Sequence, residues 1–202
     1  GIYFEDNTDG SHTLTLYNAN IEVALEVARF GQVSGIINLP ANTKVILMGV
    51  NNIKNTIATS SNAAASVFMK GDGFISSDSA TNGELNMSGG GYGIYSESSS
   101  EGEVRFENAK INFSDSNYTS GSGIFISYAK QNVIFDNSNI TVTNTKGNGL
   151  DFSGTVTFRN NSKINVNSSG GAAGVKGNKS IISENSEVNI KNTLKGFVIT
   201  KE

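Results

Sequence analysis

Five stretches of this chain share one grammar. "LTLYNANIEV" from Leu14, "VRFENAKINF" from Val104, "VIFDNSNITV" from Val133, "VTFRNNSKINV" from Val156 and "SIISENSEVNI" from Ser180 each hold two short apolar alternations split by an asparagine. Alternation at period two marks strands with one buried face. A repeat at fixed spacing marks a stack of like units that bury a shared core. The residues that start the second strand, Ile111, Ile140, Ile164 and Val188, recur at intervals of 29, 24 and 24 residues. A third strand follows each polar, glycine-bearing bend: "GSGIFIS" at Gly121, "GNGLDFS" at Gly147, "GAAGVKG" at Gly171 and "KGFVITK" at Lys195. "GYGIYSE" at Gly91 and "GIINLP" at Gly35 read as the same element upstream.

Three strands and three bends in so few residues describe one coil of a parallel β-helix, hydrogen-bonded to the coils on either side. The sequence therefore predicts an all-β fold, a right-handed parallel β-helix (solenoid) of about seven three-strand coils. "TKVILMG" and "GELNMSG" supply strands in the less regular first half. At ~4.8 Å per coil the rod is roughly 30 to 35 Å long. One domain spans residues 1–202, with regular coils over about 12–202 and a lead-in over 1–11.

The asparagines fit this scheme. Asn18, Asn108, Asn137, Asn160 or Asn161, and Asn185 fall at the bend between the first and second strands. Asparagine tolerates left-handed backbone there, and its amides can stack into a ladder along the axis. The extra residue in "FRNNSKI" and "ISENSEV" predicts a bend longer by one in the last two coils. The runs "SGGGYG" and "SSGGAAG" lack the Lys-Ser/Thr ending of a phosphate loop and read as bends. "NIEVALEVARFGQ" from Asn20 suggests a short amphipathic helix through Ala24, Leu25, Val27 and Ala28, as a cap or a decorated bend.

Charge and composition narrow the function classes. A net charge of −3, with Lys and Arg scattered, supplies no basic surface for nucleic acid. There is no cysteine and a single histidine, His12, so neither a thiolate nor a His-cluster metal site is available. Aspartates do not recur at the spacing of calcium-bound β-rolls, so no metal and no cofactor is expected. His12, just before the first strand, reads as a surface or cap residue. No apolar run reaches the roughly 18 residues that span a membrane, so membrane insertion is not expected.

The phrases "LTLYNANIEV", "VRFENAKINF" and "GYGIYSE" resemble those of large surface proteins of gut and oral bacteria that carry pectin-lyase-like right-handed β-helices, some labelled carbohydrate-binding. The resemblance runs from about His12 onward. It implies display at the cell surface. It does not choose an activity, because the same scaffold serves polysaccharide lyases, glycoside hydrolases, phage tailspikes and non-catalytic adhesins.

Lyase chemistry needs an acidic cluster and a basic residue to take a proton; hydrolysis needs two carboxyls across a cleft. The nearest approaches are Asp136 with Arg159, at equivalent places on successive coils, and Glu107 with Asp136. Asp136 and Arg159 are thus the weak catalytic candidates, and an exposed ion pair is the simpler reading. Asp151 with Lys176 is a similar pair on the third strand.

Binding is the better expectation. With Ile94, Ile124 and Leu150 facing inward, alternation turns Tyr95, Phe125 and Asp151 outward on neighbouring coils. These three are the candidate ligand-binding residues, an aromatic platform beside an acid, with Tyr92 and Tyr128 close by in sequence. The expected function is a non-catalytic extracellular module of a bacterial surface protein that adheres or binds glycan. A structural stalk or spacer is the alternative, and a polysaccharide-degrading enzyme the second alternative. The expected partners are a glycan or host surface ligand and neighbouring domains of the same chain, since "FVITKE" leaves the last coil without a cap.

Overall fold

The structure is a computed structural model that describes residues 1–27, 33–57, 59, 61–97, 101–116, 118–127, 130–167 and 173–199. It is a parallel β-solenoid built from three sheets. The first sheet holds His12–Tyr17, Thr43–Met48, Gly73–Ser77, Gly102–Glu107, Gln131–Asp136, Val156–Arg159 and Ile181–Ser183, in that order along the axis. The second holds Asn20–Val23, Val50–Asn55, Glu84–Ser88, Lys110–Ser114, Asn139–Thr143, Lys163–Asn167 and Glu187–Lys191. The third holds Gly35–Leu39, Ala65–Met69, Tyr92–Ser96, Ile124–Ile126, Leu150–Phe152, Ala173–Gly177 and Lys195–Ile199. Each coil contributes one strand to each sheet.

The lead-in adds a strand of its own. Ile2–Asp6 is a strand, laid antiparallel on His12–Tyr17 so that Phe4 faces Leu14 and Asp6 faces His12. His12 Nδ1 lies 2.7 Å from Asp6 Oδ1, and its ring stacks on Phe4.

The repeat's alternation fills the interior. Ile75, Phe106, Phe135 and Phe158 share one inward row of the first sheet. The rings of Phe106, Phe135 and Phe158 are fully buried and stack at 4.7 and 5.3 Å. Ile111, Ile140 and Ile164 form the matching row of the second sheet, and Ile94, Ile124, Leu150 and Val175 that of the third. Each such side chain contributes about 1.5–3 kcal/mol by leaving water.

The bends follow the asparagines. Asn18, Asn108, Asn137, Asn160, Asn161 and Asn185 all take left-handed backbone, φ 45° to 64°. Asn137 Nδ2 donates to Asn108 Oδ1 at 2.7 Å and Asn185 Nδ2 to Asn161 Oδ1 at 3.1 Å, which is the amide ladder. Of the last two coils, only the sixth has the lengthened bend. Phe158 pairs with Ser183 and Ile164 with Val188, so "SENSEV" spans its bend in the same number of steps as "FENAKI". A second left-handed row, Asp115, Asn144 and Asn192, turns the second strand into the third.

The helix expected through Ala24, Leu25 and Val27 is absent, and Ala28 lies outside the described residues. Amide side chains of the second coil take the backbone groups a helix would pair internally. Leu25 N and O bond Asn55 Oδ1 and Nδ2 at 3.3 and 2.8 Å, and Val27 N donates to Asn62 Oδ1 at 3.0 Å.

Candidate functional site

The corner leading into the third sheet sets which residues reach its outer face. A Cβ on Gly93 would lie 2.9 Å from the Phe113 ring, and one on Gly123 only 2.5 Å from Val142 Cγ2. Both glycines therefore face the core, directly before the inward Ile94 and Ile124. Alternation breaks at that point, and Tyr92 joins the outer face with Tyr95 instead of the core. The same glycine recurs before Leu150 and Val175, where a Cβ on Gly149 or Gly174 would lie 2.3 Å from Val166 Cγ1 or Ile190 Cγ2.

Beyond the corner the register is the one the sequence predicts. Tyr95 pairs with Phe125, Phe125 with Asp151 and Asp151 with Lys176, while Ile94, Ile124 and Leu150 are buried beside them. All three candidate binding residues thus share one row on consecutive coils. Phe68 extends the row by one coil on the N-terminal side.

The rings form a ladder, not a set of separate platforms. Phe68 and Tyr95 stack at 5.8 Å, and Tyr95 and Phe125 at 5.1 Å, with interplanar angles of 20° and 24°. Tyr95 is covered on both faces and presents only its edge. Tyr92 packs edge-on against Tyr95 at 5.0 Å and against Tyr118 at 5.8 Å, and it tilts against Phe125 at 5.6 Å. The next residue in the row after Phe125 is the short Asp151, so the ladder stops there. Tyr128 lies outside the described residues.

A polar group begins where the rings end. Asp151 is 6% exposed; its Oδ2 accepts 2.7 Å from Asn148 Nδ2, and its Oδ1 lies 3.4 Å from Lys176 Nζ. Asn148 Oδ1 in turn accepts from the Ala173 amide at 3.0 Å, which fixes the amide's orientation. Ser122, just before Gly123, has a buried hydroxyl with no partner among the described residues. Burial, then the neighbouring Tyr118 and Tyr95, pushes the Tyr92 hydroxyl up. Burial, then the charge of Glu97, does the same to Tyr95. Both phenols stay protonated and able to donate across ordinary pH.

Phe68, Tyr118 and Asn148 escape a reading of the sequence. Phe68 sits in "ASVFMK", a strand whose coil is too irregular to align by repeat alone. Tyr118 lies in a bend with no periodicity. Asn148 carries the one usable signal, an amide three residues before an acid across a glycine turn.

The first-sheet pair has a different character. Arg159 Nε and Nη2 both reach Asp136 Oδ2, at 2.8 and 2.7 Å, and Asn160 Nδ2 donates to Asp136 Oδ1 at 2.6 Å. Burial acts to raise the carboxyl, but the bonds from Asn160 and Arg159 and the charges of Arg159 and Arg105 outweigh it and hold Asp136 below the usual range. Its partner in register, Glu107, lies 3.9 Å from Arg105 Nη1. A carboxylate so held is a poor proton donor, and a guanidinium raised by its bonds to that carboxylate is a poor base. The arrangement works as a cross-coil ion pair. Among the described residues no three His, Cys, Asp or Glu side chains converge as metal ligands, and no helix is long and apolar enough to cross a membrane.

No protein-family model, curated protein or solved structure matches the chain.

Proposed function

We propose that this chain is a non-catalytic, extracellular recognition module of a bacterial surface protein, of the pectin-lyase-like β-helix kind, that binds a saccharide on the outer face of its third sheet. One observation carries the reading: the ring ladder ends at Phe125, directly before Asp151, with Asn148 and Lys176 bonded to that acid. A sugar ring needs both chemistries at once. Its C–H face lies against an aromatic surface, and its hydroxyls need oriented donors and acceptors. A fixed carboxylate, an amide and an ammonium on one small patch supply the second. The saturated Asp136–Arg159 pair argues against a catalytic role for the first sheet.

A spacer module is the second reading. It is favoured by the ring ladder itself, since Phe68 and Phe125 already cover the two faces of Tyr95.

The test is binding to a broad glycan array by the parent chain, by Tyr95→Ala/Phe125→Ala and by Asp151→Ala. Selective binding that both variants lose, with unchanged circular dichroism, is the expected result. Silence across the array, or binding indifferent to both variants, would move the assignment to the spacer.

A further inference from the structure

The outer face of the second sheet carries a row of amides. Register aligns Asn20, Asn52, Asn86 and Asn112 on the first four coils, then Thr141, then Asn165 and Asn189. The next outward row holds Ser88, Ser114, Thr143 and Asn167 on coils three to six. Two open hollows follow these rows. One, of about 460 Å³, runs from Asn20 to Thr143, and the other, of about 330 Å³, from Thr141 to Lys191. They share Thr141 and Thr143, so they form one trough along all seven coils.

The trough is uncharged at its centre. Four of its charged neighbours are paired off, Lys54 with Glu22 at 3.0 Å and Lys110 with Glu84 at 2.7 Å, and Lys191 lines its far end on the seventh coil. Eight neutral hydrogen-bonding side chains remain on coils three to six. They repeat at ~4.8 Å along the axis and at about 6.6 Å along each strand.

The amide row is bonded to itself over Asn52, Asn86 and Asn112 and over Asn165 and Asn189, and it is open between Asn20 and Asn52 and at Thr141. Asn86 donates to Asn52 at 3.2 Å, Asn112 to Asn86 at 2.8 Å and Asn189 to Asn165 at 3.1 Å. Thr141 is too short to continue the ladder. On one side of it Asn112 Oδ1 faces the gap, and on the other Asn165 Nδ2. Neither has a protein partner among the described residues, whereas Asn86 bonds through both its amide nitrogen and its oxygen. The break thus leaves an acceptor and a donor two coils apart, with a hydroxyl between them, at the point where the two hollows meet.

We propose that this trough is a second ligand site, for an extended, uncharged polysaccharide lying along the solenoid axis and seated across Thr141. A polyhydroxyl chain supplies donors and acceptors at each sugar, which is what a row of amides and hydroxyls can pair. An acidic polymer would find no unpaired cation at the centre. A protein strand would find no open edge, because every backbone group of these inner strands is already in the sheet. The proposal goes beyond the third-sheet reading and stands without it, since the two faces share no residue.

The probes are neutral cello-, manno- and laminari-oligosaccharides of two to six units, with oligogalacturonate of equal length as the charged comparison, titrated by calorimetry. Affinity for at least one neutral series should rise with length, and oligogalacturonate should bind more weakly. Thr141→Asn completes the ladder and fills the gap, so it should weaken that binding at least tenfold while the melting temperature is not lowered. In the parent chain, the side-chain amide NMR signals of Asn112 and Asn165 should shift on titration. Tyr95→Ala/Phe125→Ala should leave this binding intact, which separates failure of one site from failure of the other. Absence of binding by every neutral series, equal binding by Thr141→Asn, or tighter binding of oligogalacturonate would each overturn the proposal.

Discussion

Two aromatic stacks run along this solenoid, one on each side of its wall. Inside, Phe106, Phe135 and Phe158 stack on the fourth to sixth coils, fully buried. Outside, Phe68, Tyr95 and Phe125 stack on the second to fourth, and Phe125 and Tyr95 remain partly open to solvent. The spacing is similar because the coil sets it in both cases. The consequences differ because the inner stack is enclosed by two further sheets, while the outer one meets only the bends that fold over it. An enclosed ring contributes its whole transfer free energy to stability. An open edge keeps part of that free energy for whatever arrives from solution.

Truncating a ring on each side breaks the comparison most sharply. Phe135→Ala removes the central ring of the inner stack and should cost about 3–5 kcal/mol, read as a lower urea midpoint; a cost below that of any outer variant would contradict the assignment of the core. Gly123→Ala probes the wall between the stacks. Its methyl would meet Val142, and overpacking of this kind costs about 1–3 kcal/mol, again by urea denaturation. Tyr95→Ala should cost only about 1–2 kcal/mol, since its edge stays partly open to solvent, while abolishing any binding on that face.

The smallest effect is electrostatic and lies on neither stack. Asp136 has a folded pKa below its unfolded one, so its contribution is fully present above about pH 4, the ordinary carboxylate value. It is lost as pH falls through the lower folded value. A partly exposed pair of this kind contributes under about 1 kcal/mol. Asp136→Asn should therefore flatten the acid limb of a stability-versus-pH curve slightly and change little at pH 7; an unchanged acid limb would mean that the pair contributes nothing.

Legibility followed the same inside-outside division. The coils after Val104 were readable because one inward row must be apolar on every turn, so "VRF", "VIF" and "VTF" announce themselves. The bend asparagines were readable because few other residues hold left-handed backbone. In the first half, Val50–Asn55, Ala65–Met69 and Gly73–Ser77 do not stand out, since long segments between strands at 56–64 and 78–83 obscure the period. The register of Tyr95, Phe125 and Asp151 could be read by alternation from Ile94. The corner that brings Tyr92 outward could not, because it depends on contact between Gly93 and a residue of another sheet. The helix reading over 24–27 failed for a related reason: Asn55 and Asn62, some thirty residues away, compete for that backbone. The amide row of the second sheet was present in "KINF", "KINV" and "EVNI", but each asparagine looked like ordinary solvent-side alternation until the coils were stacked.

The most direct test of the assignment is NMR of the chain labelled in its phenylalanine and tyrosine rings, titrated with glucose, galactose, N-acetylglucosamine, galacturonate and their disaccharides. The account predicts that at least one of them shifts Phe125 and Tyr95 while Phe106, Phe135 and Phe158 stay fixed. No shift of Phe125 or Tyr95 with any sugar, or shifts that appear first in the inner stack, would contradict it.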